Sequence, residues 1–270
     1  MSNISPLAVI EDGAEIHPDN EIGPFCLIGR HVKLGRGNKL LSHVVLTGHT
    51  TIGDENIFHP HCVIGGTPQD LKYRGEPTGA SIGDRNVFRE ACTVNIGTDY
   101  GARINGGGIT RLGNDNLLMV NAHIGHDAQF GNNCIISNNV MIAGHVVCGN
   151  NVAMMAQTGV NHFVTVGDYS YMAACTQVMH DVPPFTKISD FDDVRGVNTI
   201  GLRRGGFAED DIEALSVAVR RLFLNKEKAF CQVLDDYETE NHINPSVKQL
   251  VQFLRRRDQG KHGRFLEGLR

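Results

Sequence analysis

The sequence contains no tryptophan, and aromatic residues make up only 6% of its 270 positions. It also lacks any apolar run long enough to cross a bilayer, which excludes an integral membrane segment. Its N-terminus has no basic stretch followed by an apolar run, so no secretion signal is predicted. Neither charge dominates, with 25 basic and 30 acidic residues, and this balance does not favour nucleic acid as a partner.

A Cys-x-x-Cys pair is missing too, although the chain has seven cysteines. Four of them fall at one phase of a six-residue repeat: Cys26, Cys62, Cys92 and Cys134. A shared phase predicts small buried thiols rather than disulfides or metal ligands. We therefore expect a reducing, cytoplasmic location.

Glycine is abundant, with 31 residues, and an apolar residue recurs at every sixth position from Ile4 to Val178. The series fails only at positions 70, 76, 100 and 106. Neither a helix, with a period near 3.6, nor an alternating strand produces this spacing. Hexapeptide periodicity predicts a mainly β protein, a parallel β-helix in which each repeat forms a short strand and a turn. In hexapeptide proteins this helix is left-handed and triangular, with three repeats per coil.

The phase of the repeat is kept across both lapses, so we predict two loops that leave the prism, at about 68–81 and 99–111. The β-helix is predicted to span residues 1–185, because two prolines follow Val182 and should stop a strand ladder. An irregular connector is predicted at 186–206. A small helical domain is predicted at 207–270, where apolar residues take helical spacing.

The stretch Asn121-Ala-His-Ile-Gly-His-Asp127 places two histidines and an aspartate within seven residues. Neither histidine is at the inward phase of the repeat, so both should project outward. His126 and His162 are 36 residues apart, two full coils, and should lie on the same face. Such a face could bind a metal, hold a general base or be ordinary surface. The adjacent Asp127 favours a general base, and no ligand cluster at suitable spacing favours a metal.

The chain resembles the UDP-N-acetylglucosamine O-acyltransferases, which are hexapeptide-repeat enzymes of lipid A biosynthesis. The resemblance runs nearly end to end. It rests on Gly66-Thr-Pro-Gln-Asp-Leu-Lys-Tyr73, Ile82-Gly-Asp-Arg-Asn86, Gly106-Gly-Gly108, Gly113-Asn-Asp-Asn-Leu-Leu-Met119, the Asn121–Asp127 stretch, Ala143-Gly-His-Val146, Asp181-Val-Pro-Pro184 and Gly196-Val-Asn198.

The resemblance implies a homotrimer of left-handed β-helices that needs no cofactor and has active sites between subunits. It implies transfer of a 3-hydroxyacyl chain from acyl carrier protein to the 3-position of a UDP-sugar. His126 would be the general base, Asp127 would orient it, and the Gly144 N–H would stabilise the oxyanion. The implied substrate-binding residues are Gln69, Asp70, Lys72, Tyr73, His123, His145, His162, Asn198 and Arg204.

Several positions depart from the family pattern, namely Asn95, Ile96, Asn161, His162, Ile200 and Gly205. They leave open a 3-amino sugar nucleotide as acceptor, or acyl-CoA as donor. A different use of the fold, as a carbonic anhydrase-like enzyme or a non-catalytic assembly protein, is a third reading. The resemblance implies that the position of Ala174 lies at the end of the acyl groove, where glycine leaves room for a longer chain. Alanine adds a methyl group in a packed slot, so Ala174, together with Met172, is predicted to limit the acyl chain to somewhat less than the longest that the family uses.

Acyl carrier proteins are acidic, so a basic docking surface is expected on this chain. The candidates in the helical domain are Arg220, Arg221, Lys226 and Lys228. A solvated helix face is the plain alternative for these residues and for Arg255-Arg-Arg257.

Overall fold

The structure is a computed structural model, and it describes residues 3–100, 108–225, 227–240 and 242–269. Short parallel strands stack into three sheets, which form the three sides of a prism. The architecture is a left-handed parallel β-helix followed by a small α-helical part, which confirms the predicted fold class.

Each coil contributes at most one strand to each sheet, and an antiparallel strand is added at the end of the third sheet. The first sheet runs Val9–Ile10, Leu27–Ile28, Val45–Leu46, Val63–Gly66, Thr93–Asn95, His123–Ile124, Met141–Ile142, Gly159–Val160 and Gln177–Val178. The second runs Glu15–Ile16, Lys33–Leu34, His49–Ile52, Gly79–Ile82, Ile109–Leu112, Gln129–Phe130, Val147–Cys148 and Thr165–Val166. The third runs Glu21–Ile22, Lys39–Leu40, Ile57–Phe58, Val87–Phe88, Leu117–Leu118, Ile135–Ile136, Ala153–Met154, Tyr171–Met172, Thr186–Ser189 and Asp193–Val197.

The six-residue series fills the interior of the prism. Ile28, Phe58 and Ile124 are fully buried, because each coil covers the apolar residue of the next. Ile10 is 37% exposed, since it belongs to the first coil and has a neighbouring coil on one side only. The four cysteines of the shared phase are buried and unpaired, as predicted.

The end of the prism differs from the prediction of an irregular connector. Although Pro183 and Pro184 interrupt the ladder, the strand Thr186–Ser189 resumes it, pairing in parallel with Tyr171–Met172. The strand Asp193–Val197 then folds back antiparallel to it. A proline removes only its own N–H, so pairing returns as soon as donors return. The irregular connector was therefore wrong for most of 186–206.

Five α-helices follow in the described residues, and we number them α1 to α5. They are α1 Thr199–Arg204, α2 Glu209–Val219, α3 Phe230–Thr239, α4 Pro245–Asp258 and α5 Phe265–Gly268, with a π-helical turn at Arg220–Leu224. Leu215, Leu234 and Leu250 pack between them in a core that also contains Phe185 from the end of the prism. Of the helices described, none has the length and apolar character needed to traverse a bilayer.

Candidate active site

The residues of the Asn121–Asp127 stretch meet at one corner of the prism. Asp127 and His145 adopt left-handed backbone conformations, with φ near 60° and 63°, and lie one above the other on successive coils. Phe163, one coil further on, has the same conformation, with φ near 62°. His126, Gly144 and His162 precede those corner residues at 18-residue intervals. The coil geometry thus stacks them in one column, on the face where His126 and His162 were expected.

His126 and Asp127 form a hydrogen-bonded pair, with Nδ1 and Oδ2 2.8 Å apart. Thr98 also holds the Asp127 carboxylate, donating from its backbone N–H at 2.8 Å and from Oγ1 at 2.7 Å. Burial raises the pKa of Asp127, but the hydrogen bonds from His126 and Thr98 outweigh it and hold that pKa below its usual value. A carboxylate that accepts from Nδ1–H leaves the Nε2 lone pair of His126 available as a base.

His145 lies against this pair, with Nε2 3.8 Å from Asp127 Oδ2. Its ring stacks on Phe163 at 4.4 Å and meets His126 edge-on at 5.0 Å. Burial lowers the pKa of His145 to about 4, against the opposing attraction of Asp127. His145 is therefore neutral near pH 7. Its buried Nδ1 has no hydrogen-bond partner in the part of the chain that the structure describes.

Gly144 sits against the His126 ring so closely that no side chain fits there. A Cβ at this position would lie 2.6 Å from ring atoms of His126. The backbone carbonyl of Gly144 accepts from Phe163, but within the described ranges its N–H meets no acceptor. The site therefore offers an uncommitted N–H donor beside a potential base, which is what an oxyanion requires.

A cavity of about 590 Å³ opens in front of these groups, along the outer face of the first sheet. His123 lines it and shares a 2.7 Å hydrogen bond between Nδ1 and Thr93 Oγ1. Burial, followed by repulsion from His126, lowers the pKa of His123. Gln69 and Asn95 line the end of the cavity nearest the first loop. Asn95 Oδ1 is a second buried atom lacking a partner among the residues described.

The first loop, between Gly66 and Gly79, brings its other predicted residues less directly to the site. Lys72 Nζ lies 5.8 Å from the ring of Tyr100, and Tyr100 meets His145 edge-on at 5.7 Å. Asp70 accepts the backbone N–H of Lys72. Tyr73 donates its hydroxyl to the Glu76 carbonyl and so stays within the loop. Residues 101–107 of the second predicted loop lie outside the described residues.

Asn198 and Arg204 lie elsewhere, in a cavity of about 520 Å³ on the third sheet. Asn198 caps α1 by accepting from the Gly201 N–H, and it donates to the Tyr169 carbonyl. Local packing explains the glycine at position 205, because a Cβ there would lie 2.5 Å from the Tyr169 ring. No residue lines both this cavity and the one at His126, so a single subunit does not bring the two sets together.

The remaining predicted residues have mixed outcomes. His162 lies 3.7 Å from Glu267 Oε2 and meets Phe163 edge-on. Ala174 is exposed at a corner of the prism, where a ligand can reach it. Met172 is fully buried in the prism interior, next to Met154 in the ladder, so it cannot contact a chain lying outside the prism. The prediction that Met172 limits acyl-chain length was wrong, because it occupies an inward position of the repeat.

The proposed carrier-protein surface is partly neutralised within the chain. Arg221 lies 3.6 Å from Asp236 and 4.4 Å from the Tyr237 ring, and Lys228 forms a 2.6 Å ion pair with Asp236. Arg220 is exposed, and Lys226 lies outside the described residues.

Three ligand-type groups come close together at His126, Asp127 and His145, with one ligand atom from each within 4.8 Å of the others. Both Asp127 oxygens, however, already accept hydrogen bonds from Thr98 and His126. A cation here would have to displace these donors. The arrangement fits a hydrogen-bonded histidine–carboxylate pair better than a metal site.

Sequence reasoning missed two residues of the site. Phe163 could have been found, since it follows His145 by one coil of 18 residues. Thr98 could not, because it lies 29 residues before Asp127 and the second loop intervenes with a length that the repeat does not predict.

Comparisons with known proteins agree with this geometry. Residues 109–144 match the model described as bacterial transferase hexapeptide (six repeats), and residues 181–263 match domain 2 of UDP-N-acetylglucosamine O-acyltransferase. A relative from Akkermansia muciniphila, acyl-[acyl-carrier-protein]–UDP-N-acetylglucosamine O-acyltransferase, is 41% identical over 96% of this chain and 99% of its own length. This chain belongs to the UDP-N-acetylglucosamine O-acyltransferase family.

Solved members of the UDP-N-acetylglucosamine O-acyltransferase family have the same fold. The structure from Bacteroides fragilis is 36% identical with a TM-score of 0.86, covering 93% of this chain and 96% of that one. The structure from Moraxella catarrhalis is 38% identical with a TM-score of 0.85, covering 93% and 95%. The resemblance read from the motifs is thus confirmed at the level of the family.

Proposed function

We propose that this chain moves a 3-hydroxyacyl chain from acyl carrier protein to the 3-position of UDP-N-acetylglucosamine, the first step of lipid A biosynthesis. The observation that carries the proposal is the His126–Asp127 pair beside an uncommitted Gly144 N–H, inside a cavity large enough for a ligand. A base and an oxyanion donor on adjacent coils are the two groups that acyl transfer from a thioester needs.

In this mechanism His126 Nε2 removes the proton of the sugar 3-hydroxyl, and the oxygen attacks the thioester carbonyl. Asp127 holds the imidazole by Nδ1 and stabilises the imidazolium that forms. The Gly144 N–H donates to the oxyanion. When the intermediate collapses, the carbon–sulfur bond breaks and His126 returns the proton to the departing thiolate. Atoms and charge balance without a metal or a cofactor.

His123, His145 and His162 would hold the acceptor from the β-helix. The first loop would hold it through Gln69, Asp70, Lys72 and Tyr73. The unpartnered Nδ1 of His145 supports this role, since a bound sugar would supply its missing partner. The nucleotide end would meet Asn198 and Arg204. Those two residues belong to another face of the prism, so they must come from a neighbouring subunit. This division supports a homotrimer with sites between subunits.

Complementation between subunits tests this assembly. His126→Ala and Arg204→Ala should each impair the enzyme on its own. Mixed trimers formed after joint refolding should regain activity, because some sites then contain neither substitution. Activity that stays at the level of the separate variants would show that both residues serve one subunit's site. Light scattering of the unmixed protein checks the trimer directly.

A 3-amino sugar nucleotide is the second candidate acceptor. Asn95 lines the cavity, and its buried Oδ1 has no donor among the described residues. An amine can donate more hydrogen bonds than a hydroxyl can. Purified protein should be assayed with both acceptors, each combined with acyl carrier protein and acyl-CoA donors. We expect UDP-N-acetylglucosamine with the carrier-protein donor to react fastest. Faster reaction of the amino sugar or of acyl-CoA would overturn that choice. The reducing environment implied by seven unpaired cysteines suits a cytoplasmic enzyme.

A further inference from the structure

The turn before α5 returns to the end of the β-helix and is fixed there by three hydrogen bonds. The Gly263 carbonyl accepts from the Asp181 N–H at 2.8 Å, and the Asp181 carboxylate accepts from the Phe265 N–H at 2.8 Å. Arg264 Nη1 donates to the Met179 carbonyl at 2.8 Å. The partners in each bond are far apart in the sequence, so tertiary contacts place this turn.

The turn fits closely against the β-helix. Gly263 has φ near 66°, in the left-handed region, and a Cβ there would lie 2.6 Å from the His180 ring. Glycine meets both conditions because it has no side chain. The second oxygen of Asp181 accepts from the Thr165 N–H at 2.6 Å, so this carboxylate joins the turn to a strand of the second sheet. The position of α5, which begins directly after the turn, is thereby set.

This docking buries Glu267 of α5 beside His162. The Glu267 side chain is 9% exposed, and its Oε2 lies 3.7 Å from His162 Nε2 and 3.4 Å from Arg264 Nη2. Carboxylates are almost never buried to this extent unless they are paired. The carboxylate therefore has a buried partner in Arg264 and a more accessible one in His162, whose side chain is 45% exposed.

Packed rings connect His162 to the proposed base. The imidazole of His162 meets Phe163 edge-on at 5.4 Å, and Phe163 stacks on His145 at 4.4 Å. His145 in turn meets His126 edge-on at 5.0 Å. Burial is the largest cause of the lowered pKa of His145, and repulsion from His162 adds to it. The orientation of His162 therefore matters to the groups of the candidate active site.

We propose that Glu267 is a positioning residue of the active site, and that its buried carboxylate holds the His162 ring in the orientation that binds the sugar nucleotide. This rests on the proposed function, in which His162 holds the acceptor. A carboxylate that faces one nitrogen of a histidine sets the orientation of its ring. A side chain that is half open to solvent would otherwise lose rotamer freedom when the substrate binds, and this loss weakens binding. The pair with Glu267 fixes the ring during folding instead.

A double-mutant cycle tests whether Glu267 acts through His162. Glu267→Gln removes the charge and keeps the size of the side chain. We expect it to raise the KM for UDP-N-acetylglucosamine about fivefold and to change kcat less than about twofold, which is the pattern of a lost binding interaction. In a His162→Gln background the same change should not raise KM further, because the ring that Glu267 positions is already gone. Glu240→Gln, the same substitution at an exposed position, should leave KM unchanged in both backgrounds.

Two outcomes of the cycle would overturn the proposal. An equal rise in KM in both backgrounds would mean that Glu267 only supports the fold of α5, and no rise in either would mean that it does not position His162. The amide oxygen of Glu267→Gln can still accept from Arg264, so the variant should fold, which thermal unfolding checks. Glu267→Asp keeps the charge but withdraws it by one methylene group. It gives a second form of the test, since its effect on KM should also require His162.

NMR of protein with nitrogen-15 in its histidine rings, recorded without substrate, separates this result from failure of the proposed reaction. The signals of the His162 ring are identified by their loss in His162→Gln. They should shift in both Glu267 variants and stay in place in Glu240→Gln. Unchanged signals refute positioning by Glu267, even in a protein that transfers nothing. Shifted signals in a protein without transfer activity would support the pair and refute the proposed function.

Discussion

Among the described residues, two histidine–aspartate pairs have the same Nδ1–Oδ2 distance but lie in different regions of the molecule. His126 and Asp127 lie at the middle of the solenoid, and His180 and Asp192 lie where the solenoid meets the helices, with 2.8 Å between Nδ1 and Oδ2 in both. The histidine side chain is 14% exposed in the first pair and 54% in the second. The spacing alone therefore does not distinguish a reactive pair from a structural one.

The oxygens of the two carboxylates accept hydrogen bonds from different groups. Asp192 accepts the backbone N–H groups of Met179 and His180, which ties the turn before the last strand to the end of the prism. Its burial raises its pKa despite those bonds. Asp127 accepts from a histidine and from Thr98, and its pKa is lowered. The two pairs therefore differ in the exposure of the histidine and in the direction of the carboxylate pKa shift. The surroundings, more than the pair, make a catalytic site.

The largest expected effect separates the two histidines. His126→Ala should lower kcat by roughly a thousandfold or more, because it removes the proposed general base. His180→Ala should change kcat less than threefold. Steady-state assays with UDP-N-acetylglucosamine, together with light scattering to confirm an intact assembly, measure both. Comparable losses from the two variants would contradict the division into a reactive and a structural pair.

Substituting the two carboxylates should produce a smaller difference in kcat than substituting the two histidines. Asp127→Asn should lower kcat by about a hundredfold, since the amide no longer stabilises the imidazolium or sets its tautomer. In Asp192→Asn the amide oxygen can still accept a backbone N–H, so activity should stay near wild type. A pH profile of kcat/KM for both variants checks this, and it should move only for the first. An unmoved profile in Asp127→Asn would mean that the carboxylate is not coupled to the base.

The region around the first pair should also carry a pH signature in stability. His145 has a folded pKa of about 4, below the 6.5 of an unfolded histidine, so the unfolded state binds the extra proton first as pH falls. Stability should drop by up to about 3 kcal/mol between pH 6.5 and pH 4. His145→Gln should flatten that slope. Asp192 has the opposite sign, because its raised pKa adds stability as pH falls. Denaturant unfolding at several pH values measures this pH dependence. If the slope of stability against pH is the same in His145→Gln as in wild type, His145 is not its cause.

The smallest expected effect lies outside both pairs, at the exposed corner residue Ala174. Ala174→Gly should raise the relative rate with longer acyl chains a few-fold, because it removes one methyl group from their path. Donors of graded length measure this. If wild type already reacts best with the longest chain, Ala174 does not limit length.

How much the sequence could predict differs between the parts of the molecule. The inward residues from Ile22 to Val178 were predictable, since a repeat states the same packing rule many times. The strand Thr186–Ser189 was not, because the repeat breaks at Pro183 and only pairing with Tyr171–Met172 defines it. His126 and Asp127 were predictable as neighbours in sequence. Thr98 was not, because its contact with Asp127 depends on the path of a loop.

The sequence by itself determined the coil, its inward residues and the column that contains His126, Gly144 and His162. Three six-residue repeats make one coil, so residues 18 apart lie above one another on successive coils. The inward positions and the column can therefore be worked out from residue numbers alone. Only the tertiary structure decided how the groups around His126 are arranged. It placed Thr98 on Asp127, stacked Phe163 on His145 and buried Met172. These contacts depend on packing between coils and on loop paths, and a periodic pattern contains neither.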